Sequence, residues 1–106
     1  MHQYRAIVET GLTEVELAVR EVETAHLEMN GRYYAMLAAQ KESSFLTDRW
    51  ETLPEENDSV VLLLENLLDA KERLAEEEAA FSNAQFDYSV AVVKLKQATG
   101  ILFQVN

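Results

Sequence analysis

The sequence predicts an all-α fold, a long antiparallel helical hairpin of the coiled-coil kind, and three observations carry that prediction. Ala, Leu, Glu and Val dominate a chain of 106 residues with only three glycines and one proline, a composition that favours long uninterrupted helices. Bulky apolar residues recur at Leu67, Leu74, Phe81, Tyr88, Leu95 and Leu102, seven apart without a miss, and that interval keeps one stripe of a helix against a partner. Finally, apolar periodicity is broken strongly at one place only, "ETLPEENDS" at Glu51 to Ser59.

The first helix is expected over about residues 2–50. Val8, Leu12, Val15, Val19, Val22, His26, Met29, Tyr33 and Met36 alternate at spacings of four and three, which is a heptad seam. Gly11 and Gly31 interrupt it at a cost of about 1 kcal/mol each relative to alanine, and the length of the pattern outweighs both.

The break forms a tip loop at about residues 51–58. Pro54 disfavours helix in the residue before it, and Asn57, Asp58 and Ser59 favour turns and helix starts. Asp58 or Ser59 is positioned to cap the second helix by accepting a hydrogen bond from a free backbone N–H.

The second helix is expected over about residues 59–99, with Gly100 taking the left-handed conformation that ends a helix. Its packing seam combines the bulky register with alanines: Leu67, Ala70, Leu74, Phe81, Ala84, Tyr88, Ala91, Leu95, Ala98 and Leu102. Glu78 shares this seam by its spacing from Leu74 and Phe81, and Asp69 stands four residues before Arg73 as a supporting ion pair. A further apolar set, Val61, Leu68, Ala75 and Val92, widens the stripe beyond what one hairpin covers. Association into a larger bundle is therefore expected.

Charge and composition exclude several classes of function. A net charge of −10, with nine basic residues scattered among nineteen acids, disfavours nucleic acid and anionic membrane surfaces. The longest purely apolar runs, such as "VVLLL" at Val60 to Leu64, fall short of the roughly 20 residues that span a bilayer. The absence of cysteine removes disulfides, thiolate nucleophiles and Cys-ligated zinc.

The chemical candidates are few. Glu23 and His26 have the Glu-x-x-His spacing of di-iron bundles, but a second such motif is missing, so a seam histidine hydrogen-bonded across the helices is the favoured reading and no metal is expected. Glu76, Glu77 and Glu78 are consecutive and point in different directions on a helix, which makes them a solvated face. Nothing matches a phosphate loop, a nucleophile elbow or paired catalytic carboxylates, so neither a cofactor nor enzymatic activity is expected. Arg49 and Trp50 precede the acidic turn. Trp50 either plugs the end of the coiled coil or, with Arg49 and Leu53, forms a docking tip, since Trp and Arg are enriched at binding hot spots.

The second helix, "LLENLLDAKERLAEEEAAFSNAQFDYSVAVVKLKQATGIL" at Leu63 to Leu102, resembles the closing helix of the TolC-like outer-membrane efflux proteins. The resemblance lies in an ordered series: Leu67, Ala70 and Leu74, then Ala84, the "DY" pair Asp87 and Tyr88, Ala91, Leu95, and a terminal A-x-G-x-L at Ala98, Gly100 and Leu102. It implies a homotrimeric outer-membrane duct in a Gram-negative type envelope, a β-barrel continued by a periplasmic α-barrel. Small molecules or proteins leave the cell through such a duct, as in efflux and type I secretion.

On that resemblance the chain is the periplasmic hairpin of the second repeat, with the β-barrel and first repeat outside it. The segment itself would touch no membrane. Its partners would be further copies or repeats of the duct, a periplasmic adaptor protein and, through that, an inner-membrane transporter. The tip departs from the family pattern: "RWETLPEENDSV" is longer and acidic and lacks the usual glycine. The alternative from another class is a freestanding coiled-coil interaction module that self-associates as a dimer or other bundle.

Overall fold

The computed structural model describes residues 2–52 and 59–105, excluding the side chains of His2, Ser59, Gln104 and Val105. The fold is an all-α helical hairpin of two helices, α1 at His2–Glu51 and α2 at Ser59–Val105. Asp58, the proposed helix cap, and Leu53, one of the three tip residues, lie outside the described residues, as does the Ser59 side chain.

At the end of α1, the backbone N–H and the hydroxyl of Thr52 both donate to the Asp48 carbonyl, at 3.1 and 3.0 Å. They satisfy an acceptor that the helix itself leaves unpaired. Arg49 in the last turn complements the negative end of the helix dipole.

The helix α2 does not stop at Gly100, contrary to expectation. It runs on to Val105, and no glycine among the described residues has positive φ. The cause is one more packing layer: Leu102, beyond the glycine, is half-buried and lies against Gly11. That contact offsets the modest helix penalty of Gly100.

The chain forms two compact units, one of Met1–Met29 with Ala84–Asn106 and one of Asn30–Asn83. In the first, the helices run antiparallel, with Gly11 beside Leu102 and the His26 ring 5.7 Å from that of Tyr88. Val8, Gly11, Val15, Ala18, Val22, Ala25 and Met29 of α1 are buried or half-buried. They face Ala84, Tyr88, Ala91, Leu95, Ala98 and Leu102 of α2, also buried or half-buried. Stepping by seven from the Gly11 and Leu102 contact sets Ala18 level with Leu95 and Ala25 level with Tyr88. A step of four from the same contact sets Val15 level with Ala98, and further steps of seven set Val22 level with Ala91 and Met29 with Ala84. Each of the layers from Gly11 to Met29 thus places a small residue opposite a larger one, which lets two helices approach closely while filling the space between them.

This register corrects half of the seam expected for α1. Val8, Val15, Val22 and Met29 face inward as expected, but Leu12, Val19 and His26 lie exposed on the flank. The inward positions between them belong to Gly11, Ala18 and Ala25, because the bulky register of α2 leaves room only for small partners.

In the second unit, Tyr33 packs its ring on Phe81 at 5.5 Å, and Arg73 donates to both carboxylate oxygens of Glu42, at 2.8 and 2.6 Å. Met36, Ala39, Ser43 and Leu46 are buried or half-buried on α1, as are Leu63, Leu67, Ala70, Leu74, Glu77 and Phe81 on α2. Tyr33 is exposed on the flank rather than in the seam. Ala70, 2% exposed, is the most buried apolar residue described.

Candidate packing and docking surfaces

The inward face of α2 holds the seam read from the sequence and also Leu63 and Glu77, which that seam did not include. Leu67, Ala70, Leu74, Phe81, Ala84, Tyr88, Ala91, Leu95, Ala98 and Leu102 are all buried or half-buried. Their apolar burial and shape hold the two helices against each other.

One member of the alanine-rich register is charged. The series Leu63, Ala70, Glu77, Ala84, Ala91, Ala98 carries a carboxylate at its third position. Glu77 is half-buried and its Oε2 is buried without a hydrogen-bond partner among the described residues. Glu78, expected in the seam, is exposed instead. Counting in sevens from Ala70 and Ala84 finds Glu77, whereas counting from the bulky residues alone admits either glutamate.

The remaining chemical candidates resolve into surface contacts. His26 does not bridge the helices by a hydrogen bond; it is exposed and its ring tilts onto Tyr88. Glu23 is exposed, and among the described residues no three of His, Asp and Glu gather as a metal site would require. Arg73, four residues after Asp69, forms its hydrogen-bonded pair across the hairpin with Glu42. That bond and the Glu42 charge hold its guanidinium pKa above the ordinary value.

At the tip, Arg49 is exposed and its guanidinium stands 6.0 Å from the centre of the exposed Phe45 ring, within cation–π range. Trp50 occupies the seam register of α1 yet is 36% exposed. One indole therefore has both a packed and an accessible part, consistent with either role considered for it.

Outside the seam, large apolar side chains are distributed over both helices. Leu27 is 70% exposed and Phe86 69%, while Leu17, Tyr34, Phe45, Val61, Leu62, Leu68 and Val93 are exposed as well. The additional set Val61, Leu68 and Ala75 faces solvent and Val92 is half-buried. No helix among the described residues is long and apolar enough to cross a membrane.

The two flanks of the first unit differ in charge. On one, Glu14, Glu21, Lys94 and Ile101 line a common groove, with Glu28 and Asp87 continuing the same heptad positions. On the opposite flank, α1 presents Arg5, Leu12, Val19 and His26, and α2 presents Gln85, Val92 and Thr99; Arg5, paired with Glu9 at 3.4 Å, carries the one charge among the seven, and the stretch from Leu12 to His26 is uncharged. The Thr99 hydroxyl donates to the Leu95 carbonyl at 2.8 Å, so its methyl is what remains for packing. Solvated two-helix coils normally carry charges on both flanks.

Among known proteins, no family model matches the chain, and no curated protein or solved structure matches it either.

Proposed function

We propose that the chain is a structural, non-enzymatic wall segment of the periplasmic channel in a TolC-like outer-membrane exit duct. The observation that carries this reading is the apolar surplus. Leu27, Tyr34, Leu68 and Phe86 stand exposed on faces that the hairpin cannot cover by itself, as expected of a helix pair whose neighbours are further helices. The ordered ending of α2, Asp87, Tyr88, Ala91, Leu95, Ala98, Gly100 and Leu102, supports the choice of this kind of wall.

In this reading, small-against-bulky packing sets the spacing within the hairpin. The outward apolar residues seat neighbouring hairpins of the trimeric duct, and the tip at Arg49, Trp50 and Leu53 meets a periplasmic adaptor that links to an inner-membrane transporter. The test uses the whole protein that carries this hairpin. It is expected to fractionate with the outer membrane, Leu68→Asp with Phe86→Asp is expected to abolish export, and Trp50→Ala to weaken adaptor binding. Recovery in the cytosol, with export unchanged by the double variant, would overturn the reading.

A second reading, a freestanding coiled-coil interaction module, is favoured by one observation: the uncharged stretch of one flank of the first unit, whose residues suit pairing with a copy of themselves.

A further inference from the structure

Between Leu12 and His26 this flank is uncharged, with Arg5 beyond it paired to Glu9, and the uncharged stretch can be assigned an occupant from its own chemistry. Leu12 and Val19 are 48% and 38% exposed, Val92 and Thr99 are half-buried, and His26 and Gln85 are exposed. Along this flank Leu12 stands nearest Thr99, Val19 nearest Val92 and His26 nearest Gln85, each pair offset in height by about 3 Å in the antiparallel register. Beyond this stripe lie rims of unequal charge. On α1 the rim is Glu9, Glu16 and Glu23, and on α2 it is Ser89, Lys96 and Phe103, all exposed.

We propose that a second copy of this chain docks on this flank, about a twofold axis parallel to the helices, to form a four-helix bundle. Such an axis places α1 of each copy against α2 of the other without changing level. Leu12 then meets Thr99 of the second copy, and Val19 meets its Val92. His26 meets Gln85 of the second copy, whose amide both donates and accepts hydrogen bonds and so satisfies the imidazole in either tautomer. Each of these contacts occurs twice.

Charge selects this axis over the other twofold arrangement. With the axis parallel to the helices, Glu16 faces Lys96 of the second copy, Glu23 faces Ser89 and Glu9 faces Phe103. An axis running across the helices would instead set α1 against α1, bringing Glu9, Glu16 and Glu23 of the two copies together, an arrangement disfavoured by like-charge repulsion. The opposite flank suits no such pairing, since it carries Glu14, Glu21, Glu28 and Asp87 against a single Lys94.

The inference concerns the 106-residue chain by itself and stands apart from the duct reading, so its failure leaves that reading in place. The experiment is sedimentation equilibrium of the chain at high micromolar concentration and physiological salt, where repulsion between two acidic chains is screened. A dimer is expected. Val19→Asp is expected to give a monomer with helical circular dichroism retained.

Glu16→Lys is expected to weaken the dimer roughly tenfold, because it reverses two symmetry-related contacts. Combining it with Lys96→Glu is expected to restore the wild-type constant. A wild-type monomer or trimer, a Val19→Asp variant that still dimerises, or a charge exchange that fails to rescue would each overturn the proposal.

Discussion

The backbone of Gly11 lies against the side chain of Leu102, so closely that a β-carbon at Gly11 would stand 3.0 Å from Leu102 Cδ1. At Gly31 the same β-carbon would meet nothing within 4 Å. Both glycines are helical, and both forgo the helix propensity of alanine. Gly31→Ala is therefore expected to stabilise the hairpin by about 1 kcal/mol, raising the thermal midpoint by roughly 4–8 °C. Gly11→Ala is expected to gain less, because Leu102 must give way. Thermal unfolding followed by circular dichroism compares the two directly, and an equal gain would show that the Leu102 contact is soft.

The carboxylate at Glu77 is the one charge in its inward register. Replacing it with alanine continues the run of small residues and removes a buried acceptor without a donor, so Glu77→Ala is expected to stabilise by about 1–3 kcal/mol. Glu78→Ala, one residue along and exposed, is expected to change stability by less than about 0.5 kcal/mol. Urea unfolding of the pair tests the assignment, which a larger effect at Glu78 would reverse.

Alanine in the seam is required for its size. Ala84 and Ala91 are 5% and 7% exposed, and leucine at either must push the helices apart. Ala84→Leu and Ala91→Leu are each expected to cost about 1–3 kcal/mol. Ala79→Leu, on the exposed face, is expected to be close to neutral. Denaturant midpoints would show whether burial, rather than helix propensity, separates the three.

The Glu42 and Arg73 pair is well formed in geometry but open to water, each side chain being about half exposed. Solvent and salt screen such pairs. Glu42→Gln is expected to leave the thermal midpoint nearly unchanged at physiological salt, with any loss confined to low ionic strength. A large loss that persists in high salt would mean the pair is structural.

How much of this was legible in the sequence depended on whether a position is decided by one helix or by two. The α2 seam from Leu67 to Leu102 was legible except at one position, since bulky residues recur at a strict interval and alanines at all but residue 77, where Glu77 rather than Glu78 turns inward. In α1 the register of Val8, Val15, Val22 and Met29 was legible, but Leu12, Val19 and His26 were read as inward when Gly11, Ala18 and Ala25 are. Hydrophobicity ranks leucine above glycine. What decides the matter is the leucine or tyrosine already standing opposite, a property of the pair that a single-helix pattern does not contain. The end of α2 was misread for the same reason, because Gly100 looks like a stop until Leu102 is seen to have a place beside Gly11. At the tip, Arg49 beside Phe45 adds a ring contact that no heptad count would show.

The layers of the first unit are alike in kind, each a small residue facing a larger one, and this makes height a modular quantity. Adding or removing seven residues in each helix at matching levels would leave every remaining layer with a suitable neighbour and return every flank to its own side. Each such step changes the length of the helix pair by about 10 Å. A protein built this way is free to lengthen or shorten in whole rungs, whereas a change of about half a turn would carry the inward face round to solvent.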